Sequence, residues 1–103
     1  MYWTNIYKED NMKNNLDNIV GIFKALACET RLKIVMGFLE KKECNVNLMA
    51  ENLGIAQPNV SQHLAILKNA GVIEGYRNGT QICYRVVNEQ VSEIIKCVQM
   101  HLK

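Results

Sequence analysis

"GIAQPNVSQHLAILKNAGVI", residues 54–73, decides the fold of this chain. Val60, Leu64 and Leu67 recur at the spacing of one helical face, and Gly71 marks where that helix ends. Pro58 stands where a first helical turn tolerates a residue without an N–H. The outward face is unusual. Surface helices are ordinarily covered with Lys and Glu, yet here the outward positions are Asn59, Ser61, Gln62, Ala65 and Asn69. Such short, uncharged, hydrogen-bonding side chains let a helix backbone come close to whatever it touches.

Upstream, Val46, Met49, Ala50 and Leu53 make a short helix stopped by Gly54 in the usual C-terminal position. A short helix, a tight turn with Gly at its start and a longer helix form a helix-turn-helix signature. Further upstream, Leu16, Ile19, Val20, Phe23, Leu26 and Ala27 predict a first helix over roughly 14–27. Leu32, Val35, Met36 and Leu39 predict a second, which the charged "EKKE" at 40–43 interrupts.

Downstream the pattern changes in kind. "VIEGYR" and "TQICYRVV" are β-branched and aromatic segments separated by "NG", a strong hairpin signal. Ile82, Tyr84 and Val86 are expected on one face of the second strand, with Gln81, Cys83 and Arg85 on the other. A last helix starts after Asn88, a good N-cap, with an apolar stripe of Val91, Ile94, Ile95, Val98 and Leu102. The expected class is mainly α with a β-hairpin wing (α+β): a winged helix-turn-helix in the order ααααββα.

At 103 residues and 49% apolar composition the chain makes one domain with a modest core. The division is a flexible N-terminal arm over 1–13, carrying Tyr2, Trp3 and Tyr7, and a folded domain over 14–103. The net charge of +2 lies wholly in residues 56–103, a mild pointer to a polyanionic partner. No stretch of about 18 apolar residues exists to span a membrane, and no signal-peptide pattern opens the chain, so a cytoplasmic location is expected. Cys28, Cys44, Cys83 and Cys97 are widely spaced and, in that compartment, are expected as free thiols.

The outward face of the fourth helix suits the DNA major groove, where Asn and Gln pair with adenine edges and Ser serves base edge or phosphate. A neutral solvated helix would share that composition. The adjoining hairpin favours DNA, because Arg77 and Arg85 suit phosphates or the minor groove. No glycine-rich phosphate loop or nucleophile–base–acid set is present, so an enzyme is not expected.

"FKALACETRLKIVMGFLEK", "GIAQPNVSQHLAILKNAGVI" and "YRNGTQICYRV" resemble the ArsR/SmtB family of bacterial winged-helix repressors, without evident gaps from about Phe23 to Val87. The resemblance implies a homodimer through the first and last helices, bound to double-stranded operator DNA by the fourth. Carried over position by position, Gln57, Pro58, Asn59, Ser61 and Gln62 match the DNA-facing helix residues, and Arg77, Asn78 and Gly79 match the wing tip. His63 matches a frequent family His, although it could equally pack beside the third helix and donate a structural hydrogen bond. Lys68 completes the DNA-binding set. Ala56 departs from the family's frequent Ser and removes a capping oxygen. Two such helices would meet successive major grooves about 34 Å apart, so the operator would be roughly palindromic.

The resemblance also implies an effector, commonly a metal ion, arsenical or oxidant, but the standard sites are degraded. In "ECNVNLM" the liganding cysteines of the third-helix site are replaced by Asn45 and Asn47, poor ligands for a soft metal. On the last helix Asn88 and Gln90 replace zinc ligands, and Met36 and Lys103 stand where dithiol sensors carry cysteine. What remains is Cys97 and His101, spaced to reach one zinc or other thiophilic ion, with a second pair from a symmetry mate. Cys28, at a helix start that favours thiolate, is a redox candidate alone or with Cys97. Passive packing is the competing reading for each of these residues. The rival function is a protein-interaction or dimerisation module that kept the fold without binding DNA.

Overall fold

The computed structural model describes residues 10–40 and 45–102, residues 10–14 by backbone alone. The order is α1 (Asp10–Leu26), α2 (Glu29–Leu39), α3 (Val46–Leu53), α4 (Gln57–Asn69), β1 (Ile73–Asn78), β2 (Gln81–Val86) and α5 (Glu89–Leu102). This is the expected ααααββα arrangement. α1 starts at Asp10, inside the stretch assigned to the arm; the rest of that arm, with Tyr2, Trp3 and Tyr7, lies outside the described residues. Among the described residues no helix is long and apolar enough to cross a membrane.

Local chemistry sets the boundaries. Asn45 caps α3, its side-chain oxygen accepting from the N–H groups of Asn47 at 2.8 Å and Leu48 at 3.3 Å. Gly54 ends α3 at φ +69°, a left-handed conformation that its missing Cβ permits, and turns the chain toward α4. Asn88 caps α5 by accepting from Val91 N–H at 3.1 Å.

The core gathers one face from each helix. Val60, Leu64 and Leu67 of α4 are buried with Leu26, Ile34, Val35, Met49, Ile73, Val91 and Ile95. Val60, Val35 and Leu67 are fully inaccessible to solvent. The strands pair antiparallel, with Ile73 opposite Val86 and Asn78 opposite Gln81. The reversal therefore falls on Gly79 and Thr80, one residue later than the "NG" reading, and Gly79 takes the positive φ of +68°.

The two faces of β2 do not divide into one buried and one open side. Tyr84 and Val86 do pack against the core, but Ile82 on the same face is 55% exposed. Cys83, on the face it shares with exposed Gln81 and Arg85, is fully buried, as strand packing requires, and disulfide-bonded. The expectation of free thiols throughout therefore fails at Cys83; Cys28 and Cys97 are free, and Cys44 lies outside the described residues.

The wing is anchored by aromatic packing. Tyr84 stacks on Phe38 of α2 with ring centroids 6.3 Å apart. Gly75, opposite Tyr84, leaves room for that ring: a Cβ there would lie 3.3 Å from Tyr84 Cε1. The apolar stripes of α1 and α5 are only half used. Ala25, Leu26, Val91 and Ile95 are buried, whereas Ile19, Val20, Phe23, Ile94 and Val98 stay exposed.

Because Leu67 is sealed at the centre of this core, Leu67→Ala should destabilise the fold by about 2–5 kcal/mol, read from urea unfolding. A loss below roughly 1 kcal/mol would mean that α4 is not held by this stripe.

Candidate nucleic-acid interface

The packing of α4 decides which residues face outward. With Val60, Leu64 and Leu67 turned inward, Gln57, Pro58, Asn59, Ser61, Gln62 and Lys68 are all exposed. None of these side chains is engaged in a hydrogen bond with another described side chain. Ala56 occupies the N-cap with no side-chain cap, as its methyl group dictates. Its backbone carbonyl accepts from Asn59 at 3.0 Å and Val60 at 3.2 Å.

The wing adds a second exposed element. Arg77, Asn78 and Gly79 lie exposed at its tip, and Arg77 makes no ion pair with a described residue. Arg85 behaves differently. Its guanidinium donates to Glu74 Oε1 at 2.9 Å and 3.3 Å and lies 5.1 Å from the Tyr76 ring centroid. It serves the hairpin itself, so of the two arginines read as phosphate-seeking, Arg77 alone presents an unpaired cation.

A shallow groove joins helix and wing. Asn45 and Asn47 at the start of α3, Gln57 at the start of α4, and Thr80, Gln81 and Tyr84 of the hairpin line it. Only Gln57 was singled out from the sequence as a binding residue. The other polar residues share amide and hydroxyl chemistry beside apolar Val46 and Ile82, but they come from segments separated along the chain and carry no common local pattern.

His63 departs from the fully exposed positions. It is half-buried, and its Nδ1 lies 3.2 Å from Arg31 Nη1. The ring thus meets Arg31 of α2, and in that contact it accepts a hydrogen bond, where the packing alternative had it donate one.

The effector candidates lie on α2 and α5. Cys28 is the half-buried N-cap of α2, and its thiol has a pKa lowered from the ordinary value. The Arg31 backbone N–H is the main cause; burial opposes it, and the Thr30 N–H and the Arg31 charge assist. No hydrogen bond of full capping geometry accompanies this, so the thiol is near those N–H groups without being locked to them. Cys97 and His101 are exposed one turn apart on α5, and no group of three metal-ligating side chains gathers among the described residues. Asn45 does structural work as the cap of α3, which accounts for its amide side chain, whereas Asn47 contributes only its backbone N–H to that cap.

Residues 28–74, from the start of α2 into the first strand, match the model of the bacterial regulatory protein, arsR family. The HTH-type transcriptional repressor SmtB of Mycobacterium tuberculosis is 39% identical over 80 residues, covering 78% of this chain and 58% of that protein. The chain thus spans less than two thirds of that relative's length. An HTH-type transcriptional regulator of Methanocaldococcus jannaschii is 40% identical over 77 residues, 75% of this chain and 86% of that one. A CadC-homologous cadmium resistance regulatory protein of Staphylococcus aureus is 29% identical, covering 91% of this chain and 78% of its own length. Among solved structures, the homodimeric winged helix-turn-helix DNA-binding domain of a Mycobacterium bovis protein superposes with a TM-score of 0.81 at 30% identity, covering 93% of this chain and 88% of that one. Fold, motif order and identity agree, and the chain belongs to the arsR family of bacterial regulatory proteins.

Proposed function

We propose that this protein is a homodimeric, sequence-specific DNA-binding transcriptional repressor that acts in the cytoplasm on a roughly palindromic operator. It is a regulator, not an enzyme. The observation that carries this reading is the exposed amide and hydroxyl face of α4, relieved of core duty and set beside a wing tip with an unpaired Arg77. Gln57, Asn59, Ser61 and Gln62 read base edges or grip phosphate at the start of the helix, where backbone N–H groups also favour anions. Pro58 shapes that first turn. His63, Lys68, Arg77, Asn78 and Gly79 meet the sugar–phosphate backbone to either side.

The dimer rests on α1 and α5. Ile19, Val20, Phe23, Ile94 and Val98 are exposed large apolar side chains on two helices that also pack into the core, and a second copy would remove them from water. The homodimeric state of the Mycobacterium bovis domain supports a homodimer.

The effector is a thiophilic metal ion, zinc among them, or a thiol-reactive compound. The cadmium resistance regulator among the relatives supports the first, and the lowered pKa of Cys28 supports the second. Cys97 and His101, with their symmetry mates, supply the nitrogen and sulfur donors that a tetrahedral ion takes. Cys28 and Cys97 are the free thiols open to a redox effector.

Gln62→Ala should weaken binding to the promoter fragment of its own operon by roughly 1–3 kcal/mol while leaving the thermal unfolding midpoint unchanged. Equal affinity in a gel shift would mean that α4 does not read bases. Arg77→Ala should lower the slope of log affinity against log salt by about one; an unaltered slope would remove the wing tip from the interface. In native mass spectrometry the reduced dimer should take up zinc or cadmium, or form a thiol adduct, that Cys97→Ser or Cys28→Ser removes. Adducts that survive both substitutions would exclude these thiols as the effector site.

A further inference from the structure

We propose that Arg31, outside every DNA-facing element, is a positioning residue for operator binding: it fixes the tautomer of His63 so that the ring offers its second nitrogen as a donor to a phosphate oxygen. The proposal rests on the DNA-binding reading above and deepens it.

Arg31 spans three helices. It sits in the first turn of α2, half-buried, and its Nε donates to the Ala25 carbonyl in the last turn of α1 at 2.5 Å. Its Nη1 lies 3.2 Å from His63 Nδ1 on α4. One planar guanidinium thus holds the end of α1 and the recognition helix together, using donors whose directions are set by the fork.

The chemistry of the pair assigns the proton. A guanidinium has donors and no acceptor, so the Arg31–His63 hydrogen bond forms only if Nδ1 presents a lone pair. A singly protonated ring with Nδ1 accepting carries its hydrogen on Nε2. This is the form that a phosphate requires, since phosphate oxygens accept and an unprotonated Nε2 would face them lone pair to lone pair. His63 follows exposed Gln62 and lies one helical turn beyond exposed Asn59, at the edge of the outward strip of α4. Removing the Arg31 donors frees the ring to take the other tautomer or to rotate.

The test pairs a spectroscopic readout with binding. Long-range nitrogen–proton correlation on the nitrogen-15-labelled full chain should show His63 as the Nε2–H tautomer in the native protein. Arg31→Met keeps a stem of similar length and should give a mixed or Nδ1–H signature. It should also weaken binding to the promoter fragment of its own operon about tenfold, the worth of one hydrogen bond to a charged group. Adding His63→Ala to Arg31→Met should cost nothing further. Arg31→Lys keeps a donor and should recover both the signature and most of the affinity; it is also the comparison that stands if Arg31→Met does not fold. An unchanged His63 signature in Arg31→Met, or in Arg31→Lys a lost signature with full affinity, would overturn the positioning role. Additive losses from Arg31→Met and His63→Ala would do the same. A native protein that binds no operator fragment would remove the DNA reading and this proposal together, whereas native binding that Arg31→Met leaves intact removes this proposal alone.

Discussion

The burial of Val60, Leu64 and Leu67 is the constraint on which the rest of the molecule depends. Fully burying each such side chain is worth about 1.5–3 kcal/mol, so the three together fix the rotation of α4 about its axis. Turning the helix by one residue would bring Ser61 or Gln62 into an apolar core where a polar side chain costs several kcal/mol without a partner. The outward strip of amides and hydroxyls is therefore a consequence of the inward strip of aliphatics. The Asn45 cap and the left-handed Gly54 then fix where α3 stops and how α4 leaves it. Their combined effect is a scaffold that presents uncharged polar groups at a fixed angle to the body of the domain.

The hairpin meets that scaffold through an aromatic contact and not through charge. Phe38 and Tyr84 stack, and Gly75 leaves the space in which the ring lies. The Arg85–Glu74 pair is more than half exposed on its Arg side, and such pairs contribute little to stability. Its effect is on placement. With Arg85 paired to Glu74 and lying over Tyr76, the cation at the tip is Arg77, beyond the part of the hairpin that packs on the body of the domain. Charge is thus separated along one ribbon: neutralised near the base and open at the end.

The two apolar sides of α1 and α5 show a similar division. On α5, Val91 and Ile95 enter the core while Ile94 and Val98 remain in solvent, although all four form one stripe in the sequence. A stripe wider than the core can accept has apolar surface left over, and a second copy is the partner that the fold family offers. Arg31 connects this side of the molecule to the other, because Ala25, whose carbonyl it holds, is in the last turn of the same helix that exposes Phe23.

Much of this was determined by the sequence alone. Helical periodicity, the Asn88 cap, the glycine stops and the β-branched hairpin act within a few residues, so a linear reading finds the five helices, the wing and the outward face of α4. The same locality explains the failures. The hairpin reversal moved by one residue because cross-strand pairing, not the "NG" pair, settled the register. The pairing of Arg85 and the groove across α3, α4 and the wing join residues from different elements, and the disulfide of Cys83 likewise has no local signal. Arg31 and His63 are 32 residues apart, and no pattern in the chain links them. Such contacts exist only after the core has set the helices against one another, and tertiary structure alone could decide them.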